Sequence, residues 1–286
     1  MKKKETPNPK TQPSKGNLYL VATPIGNLEE MSPRAIRILN EAACIACEDT
    51  RTSGVLLKHF GISTPTRSYH NFNEEDSSRV LIGMLEEGKD IALISDAGYP
   101  LMSDPGYTLV QRAIENGITI IPVSGAHAAV NALIASGLPT EHYLFYGFLP
   151  SKRGDAAKEL KKLVSFPYTL VFYEAPHRIL STLELMNEIL GDRPATVARE
   201  LTKLHEEYIR STLGELAKRD SYRGELVVVV AGKKEEPSQM SPEELLQRME
   251  EAIAGGMSTK KAAAAVAEES GCSKNKLYNE YLKAKQ

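Results

Sequence analysis

The sequence predicts an α/β protein: two α/β halves followed by a small helical, helix-turn-helix-like domain. Three observations carry this reading. Between Asn17 and Gly232, short apolar strand-like runs alternate with helical segments of about 10–15 residues, the pattern of α/β units with a largely parallel sheet. Val227–Val230 is a continuous β-branched run, which suits a strand covered on both faces. Burying each of those side chains contributes roughly 1.5–3 kcal/mol. After residue 239, helix-start signals recur around Gly-containing turns, which is the helix-turn-helix arrangement.

Each element follows in order. Residues 1–16 hold three Pro, five Lys and one Glu, with no large aliphatic side chain before Leu18, and are expected to form a disordered basic tail of net charge +4. The N-terminal α/β domain is expected over 17–122. It opens with a strand at Leu18–Ala22 and a loop at Thr23–Asn27. Ser32 and Pro33 then start a helix, with Ser at the N-cap, Pro at the first helical position and Ile36, Leu39 and Ala42 at helical spacing. Ala43–Cys47 is the next strand, followed by a helix through Phe60 that Gly61 stops. Ile91–Ile94 is a strand. Asp104 and Pro105 cap a helix ending near Asn116 and Gly117, and Ile118–Ile121 is a strand.

The C-terminal α/β domain is expected over 123–232. It begins with a small-residue helix running to Ser136 and Gly137. Strands fall near Tyr143–Phe148, Thr169–Tyr173, Ala195–Arg199 and Glu225–Val230, with helices at 154–164 and about 176–190. Residues 233–239 read as a linker. In the helical domain, 240–286, Ser241, Pro242 and Glu244 form a capping box with Pro at the first position, and Gly255 and Gly256 stop that helix. Ser258 caps a helix at 259–269 and Ser273 one at 274–284.

Composition excludes several classes. The chain has 286 residues, 35 Lys+Arg against 37 Asp+Glu, 42 % hydrophobic and 25 % charged residues, which is ordinary globular usage. The longest apolar runs fall far short of the ~20 residues a membrane helix needs. The basic, polar N-terminus has no apolar stretch behind it, so no secretory signal is expected and the protein reads as soluble and cytoplasmic. Cys44 and Cys47 have the spacing of a C-x-x-C pair but lie in a strand-like run, where residues i and i+3 face opposite sides. They read as buried and structural, and with only Cys272 besides, no zinc framework can be assembled. Residues 257–286 carry six Lys against three Glu, so both ends of the chain favour a polyanion.

Ligands in an open α/β layer bind outside the carboxyl ends of the strands. Here those loops are 23–27, 48–51, 95–104, 122–128 and 174–178, where Gly, Pro, Asp, Glu and Arg concentrate. They contain no triphosphate-binding G-x-x-x-x-G-K-[ST], no G-x-G-x-x-G after the first strand and no H-E-x-x-H. Asp96 ends a strand and can accept from a ligand amine or hydroxyl, while Gly98 lets a ligand approach the backbone. Asp104, before Pro105, reads as a helix cap. Ser124–Ala128 combines a Gly turn with a helix N-terminus, offering backbone N–H groups and room for a flat ring. Glu48–Arg51 gathers two carboxylates, a hydroxyl and a guanidinium at a strand end. Glu174–Arg178 repeats the theme, and an Arg in a first helical turn opposes the helix dipole, which favours an anion-binding role for Arg178.

Six motifs then occur in register: Thr23-Pro24-Ile25-Gly26-Asn27-Leu28, Glu48-Asp49-Thr50-Arg51, Ser95-Asp96-Ala97-Gly98-Tyr99-Pro100, Pro122-Val123-Ser124-Gly125-Ala126-His127-Ala128, Phe172-Tyr173-Glu174-Ala175-Pro176-His177-Arg178 and Ala198-Arg199-Glu200-Leu201-Thr202-Lys203. Together they closely resemble the ribosomal RNA small subunit methyltransferase I family, within the tetrapyrrole methylase-like class III methyltransferases. The match spans roughly 17–232, and the terminal helices resemble the small helical domain that many members carry. The resemblance implies two α/β domains of the tetrapyrrole methylase-like type, a homodimer, and an S-adenosyl-L-methionine-dependent enzyme. The implied reaction is 2′-O-methylation of a cytidine in the decoding region of 16S rRNA, with the small ribosomal subunit as partner. It assigns the cofactor to Thr23, Pro24 and Ile25, to Asp96 and Tyr99, and to Ser124, Gly125, Ala126, His127 and Ala128.

Methyl transfer to oxygen is an in-line displacement that needs the nucleophile roughly 3–3.5 Å from the methyl carbon. A neutral ribose hydroxyl is a poor nucleophile, so a base should help. Glu48, Asp49, Glu174, His177 and Glu200 are the candidates, with Glu174 and Glu48 first because both end strands facing the expected cleft. Arg51, Arg178, Arg199 and Lys203 would hold phosphates, as a planar guanidinium binds two oxygens at once. Lys274 and Lys276, with Tyr278, would add RNA affinity from the last helix. Two other readings stand beside this one: a tetrapyrrole (porphyrinogen) methyltransferase of the same fold, and a ligand-sensing nucleic-acid-binding regulator.

Overall fold

A computed structural model describes residues 14–234 and 240–285. The first half is built on β1 (Asn17–Val21), β2 (Cys44–Cys47), β3 (Thr66–Ser68), β4 (Ile91–Ile94) and β5 (Thr119–Val123), in the order β3-β2-β4-β1-β5 with every pair parallel. Helices α1 (Pro33–Glu41), α2 (Thr50–His59), α3 (Glu74–Glu86) and α4 (Tyr107–Glu115) lie between successive strands. All residues of β2 and β4 are buried, so they read as apolar runs rather than alternations. Helix α1 starts as expected, with the Ser32 hydroxyl accepting from Ala35 N and Pro33 at the first position. Its Ala35, Ile38 and Leu39 pack on Ile45, Ile94 and Val123.

Cys47 faces the core on one side of this sheet and Cys44 the core on the other, both as free thiols. Burial pushes the Cys47 thiol up to about 11. A thiolate is the reactive form, so a thiol reagent applied to the native protein is expected to modify Cys272 alone, with all three reacting in denaturant. Fast native labelling of Cys47, read by peptide mass spectrometry, would contradict the buried placement.

The second sheet departs from the expected parallel arrangement. It comprises β6 (Tyr143–Phe148), β7 (Thr169–Glu174), β8 (Pro194–Arg199), β9 (Glu207–Thr212) and β10 (Leu226–Val230), ordered β6-β7-β10-β8-β9. Only β6 and β7 pair in parallel; the other three pairs are antiparallel. Parallel neighbours need long crossovers, whereas β8 and β9 are joined directly through the loop at 200–206. Helices α5 (Ala128–Ser136), α6 (Arg153–Lys162), α7 (Ile179–Leu190) and α8 (Leu213–Ala217) complete this half.

Helix α5 follows the last strand of the first sheet yet packs Ala129, Ala132 and Leu133 against Val171, Ala198, Val227 and Val229 of the second. Ile25, from the loop after β1, joins the same apolar cluster. The two halves form one compact unit, which takes in the described residues through Ala231 apart from Ser165–Pro167.

Four elements lie beyond the sequence reading. Helix α3 buries Ser77 and Ser78 alongside Leu81, Ile82 and Leu85, so its apolar stripe is diluted. Strands β3 and β9 are sheet edges with no fully buried residue, and Arg67, Glu207 and Arg210 interrupt any apolar pattern. Helix α8 is only 5 residues long. The basic tail expected at 1–16 lies through residue 13 outside the described residues, as does 235–239 of the expected linker. The last residues of that tail are held: Gly16 N donates to Leu85 O at 2.8 Å, and Lys15 Nζ to Asn116 O at 2.5 Å.

The second unit contains α9 (Pro242–Ala254), α10 (Thr259–Ser270) and α11 (Lys274–Ala284). The Ser241–Glu244 capping box forms, and Gly271 ends α10 in the left-handed conformation at φ +69°. Leu245, Met249, Ala262, Ala263, Val266, Leu277 and Tyr281 make its core. No helix among the described residues is long and apolar enough to cross a membrane.

Candidate active site

Strand β1 lies between β4 and β5, so the loops leaving their carboxyl ends meet at the point where the strand order reverses. Thr23 and Gly98 exchange both backbone hydrogen bonds, at 2.8 and 3.1 Å. The buried Thr23 hydroxyl donates to Ser95 O at 3.2 Å, fixing the same junction. Gly98 has φ +79°, a conformation that favours glycine. Gly125 N donates to the Tyr99 hydroxyl at 3.1 Å, so the loop after β5 is tied to the loop after β4. Gly125 also lies so close to β1 that a Cβ would fall 2.8 Å from Ala22 Cβ.

These loops face β7 and β10 across a cleft of about 410 Å³. Of the residues expected at the cofactor, Ile25, Asp96, Tyr99, His127 and Ala128 line it. Thr23, Pro24, Ser124, Gly125 and Ala126 do not line it; Thr23 and Gly125 act from behind the wall, through the hydrogen bonds just given. His127 caps α5, its Nδ1 accepting from Val130 N at 3.2 Å. Burial pushes its pKa down, which favours the neutral ring. Its ring lies 5.7 Å from Tyr99 and 6.1 Å from Phe145, centroid to centroid.

Sequence reasoning assigned no site role to other wall residues: Met102, Ser103 and Asp104, although they fall in the expected ligand loop 95–104, and Phe148, Tyr173, Leu201, Glu225 and Val227 from the second half. Backbone strain was the signal that sequence lacks. Leu101 and Ser103 sit at φ +71° and +74°, and Glu200 and Thr202 at +50° and +67°. Such conformations cost about 1–3 kcal/mol each in a non-glycine residue and gather at functional sites. Both pairs belong to loops that border the cleft.

Asp104 differs most from its expected role. Helix α4 begins at Tyr107, behind Gly106. Gly106 N donates to Glu74 Oε1 at 2.7 Å, Thr108 Oγ1 to Glu74 Oε2 at 3.1 Å, and Leu109 N to the Tyr69 hydroxyl at 3.2 Å. Residues of β3–α3, a region absent from the sequence reading, thus meet the start of α4, and Asp104 is left at the cleft. Burial, with Glu48 and Asp96 nearby, pushes its carboxyl up to about 6. Burial likewise raises Asp96 and Glu48. Glu48 does not line the cleft, and Asp49 accepts from Arg51 N at 2.8 Å at the start of α2. Hydrogen bonds from Arg51 hold the Asp49 carboxyl down at about 2.

Glu174, the first expected base, is enclosed by its surroundings. It borders the cleft, but its side chain is 1 % exposed. Its Oε1 accepts from Arg178 Nε and from Ala175 N at 2.7 Å, and its Oε2 accepts from Thr182 Oγ1 at 2.7 Å. The dipole argument for Arg178 also falls. Helix α7 starts at Ile179, so Arg178 precedes its first turn, and its guanidinium folds back onto Glu174 and Leu149 O.

The other proposed phosphate ligands are matched as well. The β8–β9 register sets Arg199 opposite Glu207, Nε to Oε2 at 2.5 Å. Lys203 Nζ lies 3.0 Å from both Glu200 and Glu225, and Arg51 lies 2.7 Å from Asp49. Arg51 is the most exposed of these, its side chain 90 % accessible. Of the remaining candidates, His177 is exposed and Glu200 also accepts from Glu225 N. In the helical unit Lys274 and Lys276 are exposed on α11, while Tyr278 packs partly against the core instead of standing out to stack. No group of three or more His, Cys, Asp or Glu among the described residues is placed to hold a metal ion.

Residues 17–217 match the family described as Tetrapyrrole (Corrin/Porphyrin) Methylases, and residues 239–285 match the RsmI C-terminal HTH domain. The fold agrees with that of the uroporphyrin-III C-methyl transferase from Thermus thermophilus complexed with S-adenyl homocysteine. That comparison has a TM-score of 0.53 at 20 % identity and covers 75 % of this chain and 97 % of the other. The chain thus belongs to the tetrapyrrole methylase family and carries an appended helix-turn-helix domain. Ribosomal RNA small subunit methyltransferase I of Halalkalibacterium halodurans is 53 % identical over 214 residues, 74 % of each chain. That of Pseudomonas aeruginosa is 47 % identical over 221 residues, 75 % of this chain and 78 % of its own. The chain belongs to the ribosomal RNA small subunit methyltransferase I family.

Proposed function

We propose that this protein transfers the methyl group of S-adenosyl-L-methionine to the 2′-hydroxyl of a cytidine in the decoding region of 16S rRNA. The observation that carries the reading is the cleft, in a chain of this family. Its volume of about 410 Å³ lies within the roughly 300–1,000 Å³ usual for small-molecule sites. Its lining is largely apolar, with Ile25, Met102, Phe148, Leu201 and Val227, and suits a flat ring. Asp96 and Asp104 put carboxylates beside it, which suits a sulfonium cation. The donor residues therefore fit the cofactor, which would supply an activated methyl group for in-line displacement. Thr23, Pro24, Ile25, Asp96, Tyr99 and Ser124 to Ala128 would hold it, several through the loop backbone. The homodimer and the small ribosomal subunit as partner belong to the same proposal.

RNA would be gripped by exposed cations. Arg51 can exchange its surface carboxylate for a phosphate at little loss, since solvent and salt screen an exposed ion pair. Lys274 and Lys276 would add sequence-independent affinity. Arg178, Arg199 and Lys203 are held by carboxylates and would orient loops instead.

The deciding experiment supplies the purified protein with labelled S-adenosyl-L-methionine and small subunits lacking this modification, then identifies the product nucleoside by mass spectrometry. Labelled 2′-O-methylcytidine is expected. A methyl group found on a base, or transfer only to a porphyrinogen control, would sink the reading. In the same assay, replacing Lys274 and Lys276 by Glu should weaken subunit binding and reduce the slope of log affinity against log salt by about 1–2. An unchanged slope would remove α11 from the RNA surface.

A further inference from the structure

Among the cleft's ionisable side chains, most are already committed. The Glu174 carboxylate is closed off by Arg178, Thr182 and Ala175 N. Glu225 binds Lys203 Nζ at 3.0 Å. The Tyr99 hydroxyl accepts from Gly125 N, and His127 Nδ1 from Val130 N. Asp96 stands exposed at the rim. Asp104 is different. It is part-buried, lines the cleft, and has been released from capping α4 by Glu74. It is also carried on a loop with positive φ at Leu101 and Ser103, a conformation that gathers at functional sites.

We propose that Asp104 is the proton acceptor of the methyl-transfer reaction, an inference that rests on the function proposed above. As the ribose oxygen forms its bond to the methyl carbon, the carbon–sulfur bond breaks and its electron pair stays on sulfur, which becomes a neutral thioether. The hydroxyl proton passes to an Asp104 carboxylate oxygen and then to water. No other reactant is needed.

The surroundings tune this group for the task. Glu48 at the end of β2 and Asp96 after β4 add negative charge, Tyr173 faces it from β7, and Ser95 offers a hydrogen bond. Burial and the two carboxylates outweigh Ser95, and the carboxyl is pushed up to about 6. A base works best when its pKa lies near the operating pH. At neutral pH Asp104 is ionised yet far more basic than an ordinary aspartate, and protonation below about pH 6 should switch it off.

The test follows single-turnover methylation of small subunits by the full-length protein between about pH 5 and pH 8. The wild-type rate should climb with pH and level off above about 6. Asp104→Asn should be slower by about 10²–10⁴-fold and lose the acid limb, while cofactor affinity by calorimetry changes far less than the rate. Asp104→Glu should restore part of the rate with a displaced limb. An Asn variant that stays fast, or that stays slow but keeps the wild-type limb, overturns the assignment. So does a rate loss matched by an equal loss of cofactor binding. Should the Asn variant fail to fold, carbon-13 carboxyl titration of wild type and the Glu variant decides it: no carboxyl titrating near 6 that shifts between them refutes the proposal. A wild type that puts no methyl on ribose fails the functional reading itself, whatever the Asn variant does.

Discussion

Replacing Arg178 with alanine is expected to lower the unfolding free energy by about 3–5 kcal/mol. For a unit of this size that is roughly 6–20 °C in Tm. The change strips a buried carboxylate of its cation: Glu174 has a side chain only 1 % exposed and would keep only Ala175 N and Thr182 as partners. Leu149 O would lose its donor as well. Calorimetry of the variant checks this, and a Tm within a degree or two of wild type would show that the pair contributes little. Glu174→Gln separates the structural role from the catalytic one. It should depress Tm and leave the pH dependence of the rate intact. An unaltered Tm with abolished transfer would return Glu174 to the chemistry.

Gly125→Val should weaken cofactor binding by roughly 5- to 150-fold, the equivalent of about 1–3 kcal/mol of overpacking. A Cβ at Gly125 would stand 2.8 Å from Ala22 Cβ and 3.3 Å from Ala22 O, and β1 cannot retreat because β4 and β5 clamp it on both sides. The loop must therefore move, breaking the Gly125 N to Tyr99 hydroxyl bond that shapes the wall. Equilibrium dialysis with S-adenosyl-L-methionine measures the loss, and undiminished affinity would mean that the loop after β5 takes no part in holding the donor.

What the sequence could and could not reveal follows from where information resides. Strands β2 and β4 are buried on both faces, so each announces itself as an apolar run. Helices α1 and α9 carry their own caps in Ser32–Pro33 and Ser241–Glu244, and both starts are legible. Helix α4 is capped from a distance by Glu74 and Tyr69, more than thirty residues earlier in the chain, and no local pattern encodes that. Asp104 looked like a cap for this reason. The Arg199–Glu207 and Arg178–Glu174 pairs had the same effect on charge: the cations are visible in the motifs, while the geometry that neutralises them is not. The convergence of loops after β1, β4 and β5 was legible because strand-end placement is a rule of α/β layers. The antiparallel pairing of β8, β9 and β10 was not, since pairing direction depends on connections rather than on side-chain pattern.

Ile25 leaves β1, a strand of the first sheet, and is buried among Leu133, Val171 and Leu201 of the second half. A cut between the halves would leave an apolar socket on one fragment and an unsheltered plug on the other. The two sheets are therefore expected to unfold together. The loop that borders the cleft is thereby also the rivet of the fold.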